Sequence, residues 1–455
     1  MASRTLRRLA STTTSTFTAA VASSKTHFHK PIPAYLLPQG YTVSATHGGV
    51  KKQAGELDVG VLLSTSTRPT SAAAVFTANT FRAAPVLVSD EVLGHTAGRA
   101  RALVMNAGNA NAATGAQGMK DAWAMSNAAH KLLPSPAPKS EALVMSTGVI
   151  GKKLPISSIL AGISASPSTA GSSPEHWHAL ARAFMTTDTF PKIRATTFNV
   201  DGHTFRLAGI SKGAGMISPK LVSSGPPHAT LLCMLATDAP VSPAGLQAAL
   251  ARASDRSFHC ISVDGDMSTN DTVAVFANGA AAPDDMPEIT PESGAPFGVF
   301  SAALTGVMQE LAQLIARDGE GATKFITLSV EGGATYADAQ AVASSVARSP
   351  LVKTALYSED ANWGRVLAAV GAIPLSKKLD PARVSITFVP ANGSAPMPVS
   401  TNGEPVDFDE ARAKEILSED EFEIKIGLSA GSENAKFWTC DYSYEYVRIN
   451  GAYRS

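Results

Sequence analysis

The sequence predicts an α/β protein. Short runs of apolar and β-branched residues, bounded by turn formers, read as strands. Longer stretches with apolar residues three and four apart read as amphipathic helices. Loops rich in Pro, Gly and Ser separate the two kinds of segment. The chain has 455 residues, 44% hydrophobic and 17% charged, enough to bury a large core. That length fits two or three domains or one large α/β unit.

Taken in order, strand-like runs fall at 59–63 and 102–105, before a helical stretch at 118–133. A loop at 134–140 leads to a strand at 143–145, a loop at 165–174 and a helix at 174–185. After a loop at 218–227 come a strand at 230–235, a helix at 242–252 and a strand at 273–277. A loop at 278–297 precedes a helix at 296–316, a strand at 325–330, a helix at 336–348 and a strand at 384–388. No internal repeat, GxGxxG turn or Walker loop is present. The pattern alone leaves the topology open.

Lys+Arg and Asp+Glu both number 38, so no charge excess favours nucleic acid or an anionic membrane surface. The apolar runs fall short of the ~20 residues of a membrane span. Cys233, Cys260 and Cys440 are odd in number and widely spaced, which reads as reduced thiols. The N-terminus differs from the rest. No acidic residue precedes Glu56, whereas Arg4, Arg7, Arg8, Lys25 and Lys30 do, with Ser and Thr dense between 11 and 26. An Arg- and Ser-rich, acid-free start is the pattern of a mitochondrial presequence, assigned here to residues 1–25.

One stretch carries chemistry. Lys212-Gly-Ala-Gly-Met-Ile217 leads through a Pro/Gly/Ser loop to Ala229-Thr230 and an apolar run. Thr230 Oγ attacking the Ala229 carbonyl would shift the acyl group from N to O, and hydrolysis would leave Thr230 as a new N-terminus. A free α-amine has a pKa near ~8 and serves as base to its own hydroxyl. Ala236-Thr237 is a second Ala-Thr pair, but it follows the apolar run and precedes a turn, Asp238-Ala-Pro240. Residues 26–229 and 230–455 are thus the expected α and β chains.

These segments resemble the ornithine acetyltransferases (glutamate N-acetyltransferases) of arginine biosynthesis. The likeness extends to Met145-Ser-Thr-Gly-Val-Ile-Gly151, Thr186-Thr-Asp-Thr189, Arg317-Asp-Gly-Glu-Gly-Ala-Thr-Lys324 and Ile449-Asn-Gly-Ala-Tyr-Arg-Ser455. Asn106-Ala-Gly-Asn-Ala-Asn111, Asp264-Gly-Asp-Met-Ser-Thr-Asn-Asp-Thr272 and Asp360-Ala-Asn-Trp-Gly-Arg365 also fit. The resemblance implies a helix–sheet–sheet–helix fold of the N-terminal-nucleophile type, shared by the two self-cleaved chains. It implies Thr230 as nucleophile and cleavage between Ala229 and Thr230. It implies an oxyanion hole of the Thr147 hydroxyl and Gly148 N–H, with Ser146-Thr147-Gly148 expected in the turn after a strand. Substrate contacts fall on Thr186, Lys212, Thr230, Glu320, Asn450 and Ser455, where Ser455 keeps the hydroxyl of a family Thr. Thr187 stays an alternative to Thr186.

By the same resemblance, acetyl passes from N-acetylornithine to glutamate by a ping-pong route through an acetyl-threonine ester, in the mitochondrial matrix. No cofactor is bound; acetyl-CoA is a co-substrate of many relatives, and its use here stays open. The expected assembly is a heterotetramer of two α and two β chains, with no nucleic-acid or membrane partner. An N-terminal-nucleophile amidohydrolase or aminopeptidase, or an uncleaved metabolite-binding protein of the matrix, are the competing readings. Asp264, Asp266, Asn270 and Asp271 lack the Gly and terminal Glu of an EF-hand and read as turn and framework groups, so no metal is assigned. His27, His29 and His47 have no partner motif and no assigned role.

Overall fold

Two stacked sheets with helices on their outer faces form the body of the molecule, and a third sheet extends it. In this computed structural model, residues 25–222 and 231–452 are described. The first strands are β1 (Tyr41–Thr46), β2 (Val59–Ser64) and β3 (Ser71–Thr77), followed by α1 (Ala84–His95). Then come β4 (Ala102–Asn109), α2 (Gly115–His130), β5 (Ala142–Val149), α3 (Ile156–Ala165) and α4 (Pro174–Phe184). The hairpin of β6 (Lys192–Val200) and β7 (His203–Lys212) leads to a short β8 (Leu221–Val222). Past residue 230 lie β9 (Leu232–Thr237), α5 (Pro243–Asp255), β10 (Ile261–Ser262), β11 (Thr272–Ala277) and α6 (Ala295–Arg317). Next are β12 (Phe325–Gly333), α7 (Tyr336–Arg348), α8 (Pro350–Tyr357) and α9 (Trp363–Gly371). The chain closes with β13 (Ser385–Pro390), β14 (Met397–Thr401), β15 (Glu404–Pro405), α10 (Glu410–Ser418), β16 (Glu421–Gly427), β17 (Glu433–Cys440) and α11 (Tyr444–Ala452).

The sheets are ordered β1-β2-β4-β5, β6-β7-β9-β11-β3-β8 and β10-β17-β12-β16-β13-β14-β15. In the middle sheet, β9 runs antiparallel to β7, with Leu232 opposite Lys212, and parallel to β11, with Leu232 opposite Thr272. The side-chain period of two splits β9 between two cores. Leu232, Met234 and Ala236 face the four-stranded sheet, among Leu103 and Met105. Leu231, Cys233 and Leu235 face the other way, among Leu246 of α5 and Leu311 of α6. All six β9 residues are buried. Each large apolar side chain so buried contributes ~1.5–3 kcal/mol, which anchors the strand firmly just past residue 230. Helices α1, α2 and α3 pack on the four-stranded sheet and α5 and α6 on the six-stranded one, giving the helix–sheet–sheet–helix order.

Some boundaries differ from the sequence reading. The strand expected at 230–235 is observed as Leu232–Thr237. Ser146, Thr147 and Gly148 lie within β5, which runs on to Val149, rather than in the turn after it. The α6 helix is 23 residues long with a window of mean hydropathy 1.3, enough by composition to cross a bilayer. Its apolar stripe of Phe300, Leu304, Val307, Met308 and Leu311 instead fills the core against the six-stranded sheet.

Candidate active site

The end of β5 forms one wall. Gly148 has φ +126, and a Cβ there would meet the Gly108 carbonyl carbon at 2.3 Å and the Asn109 nitrogen at 2.6 Å. Only glycine tolerates both the backbone angle and the approach of β4. The β4–β5 register is irregular at this point, around Gly108 and Asn109. Thr147 is buried, and its hydroxyl accepts a hydrogen bond from Lys212 Nζ at 3.4 Å. Asn270, in the loop before β11, donates to the carbonyls of Ala110 and Ser146, tying the ends of β4 and β5 to the middle sheet.

Lys212 ends β7 and opens the Gly-rich turn. Gly213 N–H donates to Asp188 Oδ1 at 2.8 Å. The N–H groups of Met216 and Ile217 donate to the Asp264 carboxylate at 2.6 and 2.9 Å. That clamp holds Met216 at φ +55, a left-handed angle rare outside glycine. At Gly215 a Cβ would lie 2.4 Å from Glu320 Oε2, so the carboxylate rests directly on the turn backbone. Lys212 is 4% exposed. Burial pulls its ammonium pKa below the ordinary value, Lys192 adds to that, and Asp188, Asp271 and Glu320 oppose it.

A buried ion triad braces this turn. The buried face of α4 carries Trp177, Leu180, Ala181 and Phe184 at helical spacing, and the helix ends just before Thr186. Thr186 N–H donates to Asp188 Oδ2 at 3.0 Å. Lys192 Nζ bridges Asp188 and Asp318, 2.6 Å from each, and all three side chains are buried. Burial raises the Asp188 pKa, but Lys192, Lys212 and the Gly213 N–H outweigh it and hold the carboxyl far below the usual range. Asp318 also accepts from the Thr189 N–H at 2.9 Å.

The third wall comes from the C-terminal part. Glu320 N–H donates to the Ala214 carbonyl at 2.7 Å, joining the loop after α6 to the Lys212 turn. Asn450 of α11 donates to Glu320 Oε2 at 2.8 Å. The segment before α11 is fixed by Asp441, which accepts from the N–H groups of Thr323 and Lys324 at 2.8 and 2.9 Å.

Between these walls lies a cavity of about 130 Å³. Thr147, Gly148, Thr186, Lys212, Glu320 and Asn450 all line it, together with Thr187, Ser268 and Asn270. Six residues named from the sequence therefore meet in one cavity, and Thr186 and Thr187 both reach it. Ala229, Thr230 and Ser455 lie outside the described residues. Among the described residues, no cluster of three His, Cys, Asp or Glu side chains has metal-holding geometry. Sequence reasoning gave Asp188 no role, although its motif was singled out. Its partners are the Thr186 N–H two residues back, Lys192 four residues on at the start of β6 and the Gly213 N–H in the turn after β7, the last of which no local spacing points to.

The ArgJ family pattern matches residues 42–455. The "arginine biosynthesis bifunctional protein ArgJ, mitochondrial" of Postia placenta is 56% identical over 453 residues, covering 97% of each chain. Its namesake in Meyerozyma guilliermondii is 49% identical over 424 residues, covering 92% of this chain and 95% of that one. Among solved structures, arginine biosynthesis bifunctional protein ArgJ from Bacillus halodurans is 37% identical with a TM-score of 0.43, covering 48% of this chain and 96% of that chain. With the family pattern spanning all but the N-terminal end, the chain belongs to the ArgJ family.

Proposed function

We propose that this chain cleaves itself at Ala229-Thr230 and then moves acetyl from N-acetylornithine to glutamate through an ester on Thr230. The coarser frame is an acyltransferase of arginine biosynthesis in mitochondria, in line with its family and the names of its relatives. One observation carries the finer reading. Thr147, Gly148, Thr186, Lys212, Glu320 and Asn450 share a cavity, and β9, which starts just past Thr230, pairs with Lys212 at its wall.

In this reading the Thr230 α-amine takes the Oγ proton, and Oγ attacks the acetyl carbonyl. The oxyanion is met by the Thr147 hydroxyl and the Gly148 N–H, each such donor being worth ~3–4 kcal/mol. The ammonium then protonates the departing amine of ornithine. Glutamate's amine attacks the ester and the same groups act in reverse. Lys212 pairs with a substrate carboxylate, and Glu320, steadied by Asn450, pairs with the side-chain amine of ornithine. Thr186 supplies a hydroxyl to the substrate, and Ser455 is assigned a further contact. The two chains stay together, in a heterotetramer, and residues 1–25 form the presequence. Acetyl-CoA acts as an alternative donor, in line with the word "bifunctional" in the relatives' names.

Product analysis tests the reading. With N-acetylornithine and glutamate together, N-acetylglutamate and ornithine should form in equal amounts. Acetate as the main product with glutamate present would instead make the chain a hydrolase. Thr230→Ala should yield one uncleaved, inactive chain.

A further inference from the structure

Asp271 has a carboxylate with no use in the scheme above. Its side chain is fully buried, and among the described residues only the Leu231 backbone N–H faces its oxygens, too loosely for a full hydrogen bond. A buried carboxylate without partners is costly, by several kcal/mol in an apolar surrounding, so such groups are rare unless a partner arrives. Its place in the fold is specific. Asp271 precedes Thr272, which pairs with Leu232 in the parallel β9–β11 ladder, so Asp271 stands level with Leu231. Thr272 N–H donates to the Leu231 carbonyl at 2.8 Å, fixing that level. Thr230 is joined to Leu231 by one peptide bond. Cleavage before Thr230 would therefore create a new amine at the strand end that Asp271 flanks.

We infer that Asp271 is a positioning residue, an acceptor for the α-amine that self-cleavage creates on Thr230. This rests on the reading of Thr230 as nucleophile. In the uncleaved chain the Thr230 nitrogen is an amide and cannot take a proton. The N-to-O acyl shift breaks its bond to the Ala229 carbonyl and forms the Oγ ester. The freed amine takes up a proton, and the Asp271 carboxylate accepts its hydrogen bond. An ammonium cannot attack the ester, so the shift is trapped until water completes cleavage. In turnover the same carboxylate steadies the ammonium formed when the amine takes the Oγ proton, and it orients the amine toward Oγ. Burial holds the Asp271 carboxyl well above its ordinary pKa, with Lys212 and the Leu231 N–H opposing. The carboxyl of the precursor is thus a proton source beside the new amine. Lys212 on β7 is the charged group that bears on Asp271, and Lys192 on β6, Asp188 after α4 and Glu320 after α6 surround Lys212 in turn.

Asp271→Asn in the full chain tests the inference. Cleavage is followed on denaturing gels, and turnover of the cleaved enzyme is measured against pH. Removing the carboxylate should slow cleavage and turnover by about 10–10²-fold. It should also move the acid limb of kcat to lower pH, because the amine loses the partner that favours its charged form. Where Asp271→Asn is not cleaved at all, thermal unfolding is compared in the Thr230→Ala precursor. There Asp271→Asn should leave Tm unchanged or higher, since no amine exists for the carboxylate to pair with. Normal cleavage with an unmoved limb, or a lowered Tm in that precursor, would overturn the inference. If instead Thr230→Ala is itself cleaved or active, the nucleophile reading fails and not merely the part assigned to Asp271.

Discussion

Asp188 and Lys192 carry a structural burden out of proportion to their signal in the sequence. Lys192 is wholly buried between two carboxylates, and Asp188 also holds the Gly213 N–H. Breaking a buried ion pair costs ~3–5 kcal/mol, because the remaining charge is left without compensation. Asp188→Asn should therefore lower unfolding stability by about that amount at neutral pH, measured by denaturant titration. The sign with pH follows from the depressed carboxyl. Asp188 contributes fully above the unfolded value of 3.8 and its contribution is lost as pH falls toward the lower folded value. The wild type should thus weaken below about pH 4 more steeply than Asp188→Asn. An unchanged acid slope would argue that the triad is not ionised as drawn. Thr147 gives a second test at this scale. Thr147→Ala should lower kcat by roughly 10²–10³-fold and slow self-cleavage as well, since both steps pass through an oxyanion. Normal kcat with normal processing would remove Thr147 from the hole. Thr147, Gly148 and Lys212 were legible through motif resemblance, which marks residue identity at fixed spacing. Asp188 and Asp271 sat inside quoted motifs, yet their burial and, for Asp188, the reach of the Gly213 N–H come from strand packing that spacing does not encode.

Elements were legible where one face is buried and their ends were not. The helix expected at 174–185 is observed as Pro174–Phe184, because its stripe of Trp177, Leu180, Ala181 and Phe184 has a clear helical period. Ser146, Thr147 and Gly148, proposed for the oxyanion hole, differ from the expected turn, because the backbone reversal expected after Met145 does not occur. The ladder with β4 continues to Val149 through an irregular register that a φ +126 glycine permits. The C-terminal motif is expected, by resemblance, to contact substrate, and its Asn450, on α11, reaches Glu320. Losing a hydrogen bond to a charged group costs ~1.5–3 kcal/mol, so Asn450→Ala should raise KM for N-acetylornithine by roughly tenfold. Self-cleavage should be untouched, because Asn450 meets Glu320 rather than the β5 wall. Steady-state kinetics with gel analysis would show it. Equal KM in the two proteins would mean that the contact does not act on substrate.

At the scale of the molecule, the segment after residue 230 is woven into the one before it. The middle sheet places β9 between β7, from the first segment, and β11, from its own, while β3 of the first segment lies beyond β11. Cleavage before Thr230 would cut no ladder bond of the described strands, so the fragments should co-elute under native conditions and part only on denaturation. The sequence showed an α/β chain and, by resemblance, its layers. It did not show which strands neighbour which, because apolar runs buried on both faces, such as β3, β9 and β11, look alike. The presequence assigned to 1–25 lies almost wholly outside the described residues, as do Thr230 and Ser455. The proposed catalytic intermediate is an acetyl ester on a threonine that cleavage exposes. Its most direct test is the intact mass of the enzyme, quenched after incubation with N-acetylornithine alone. Two fragments are expected, with one acetyl group on the fragment that begins at Thr230 and its loss when glutamate is added. A single active chain, or acetyl on any other residue, would contradict it.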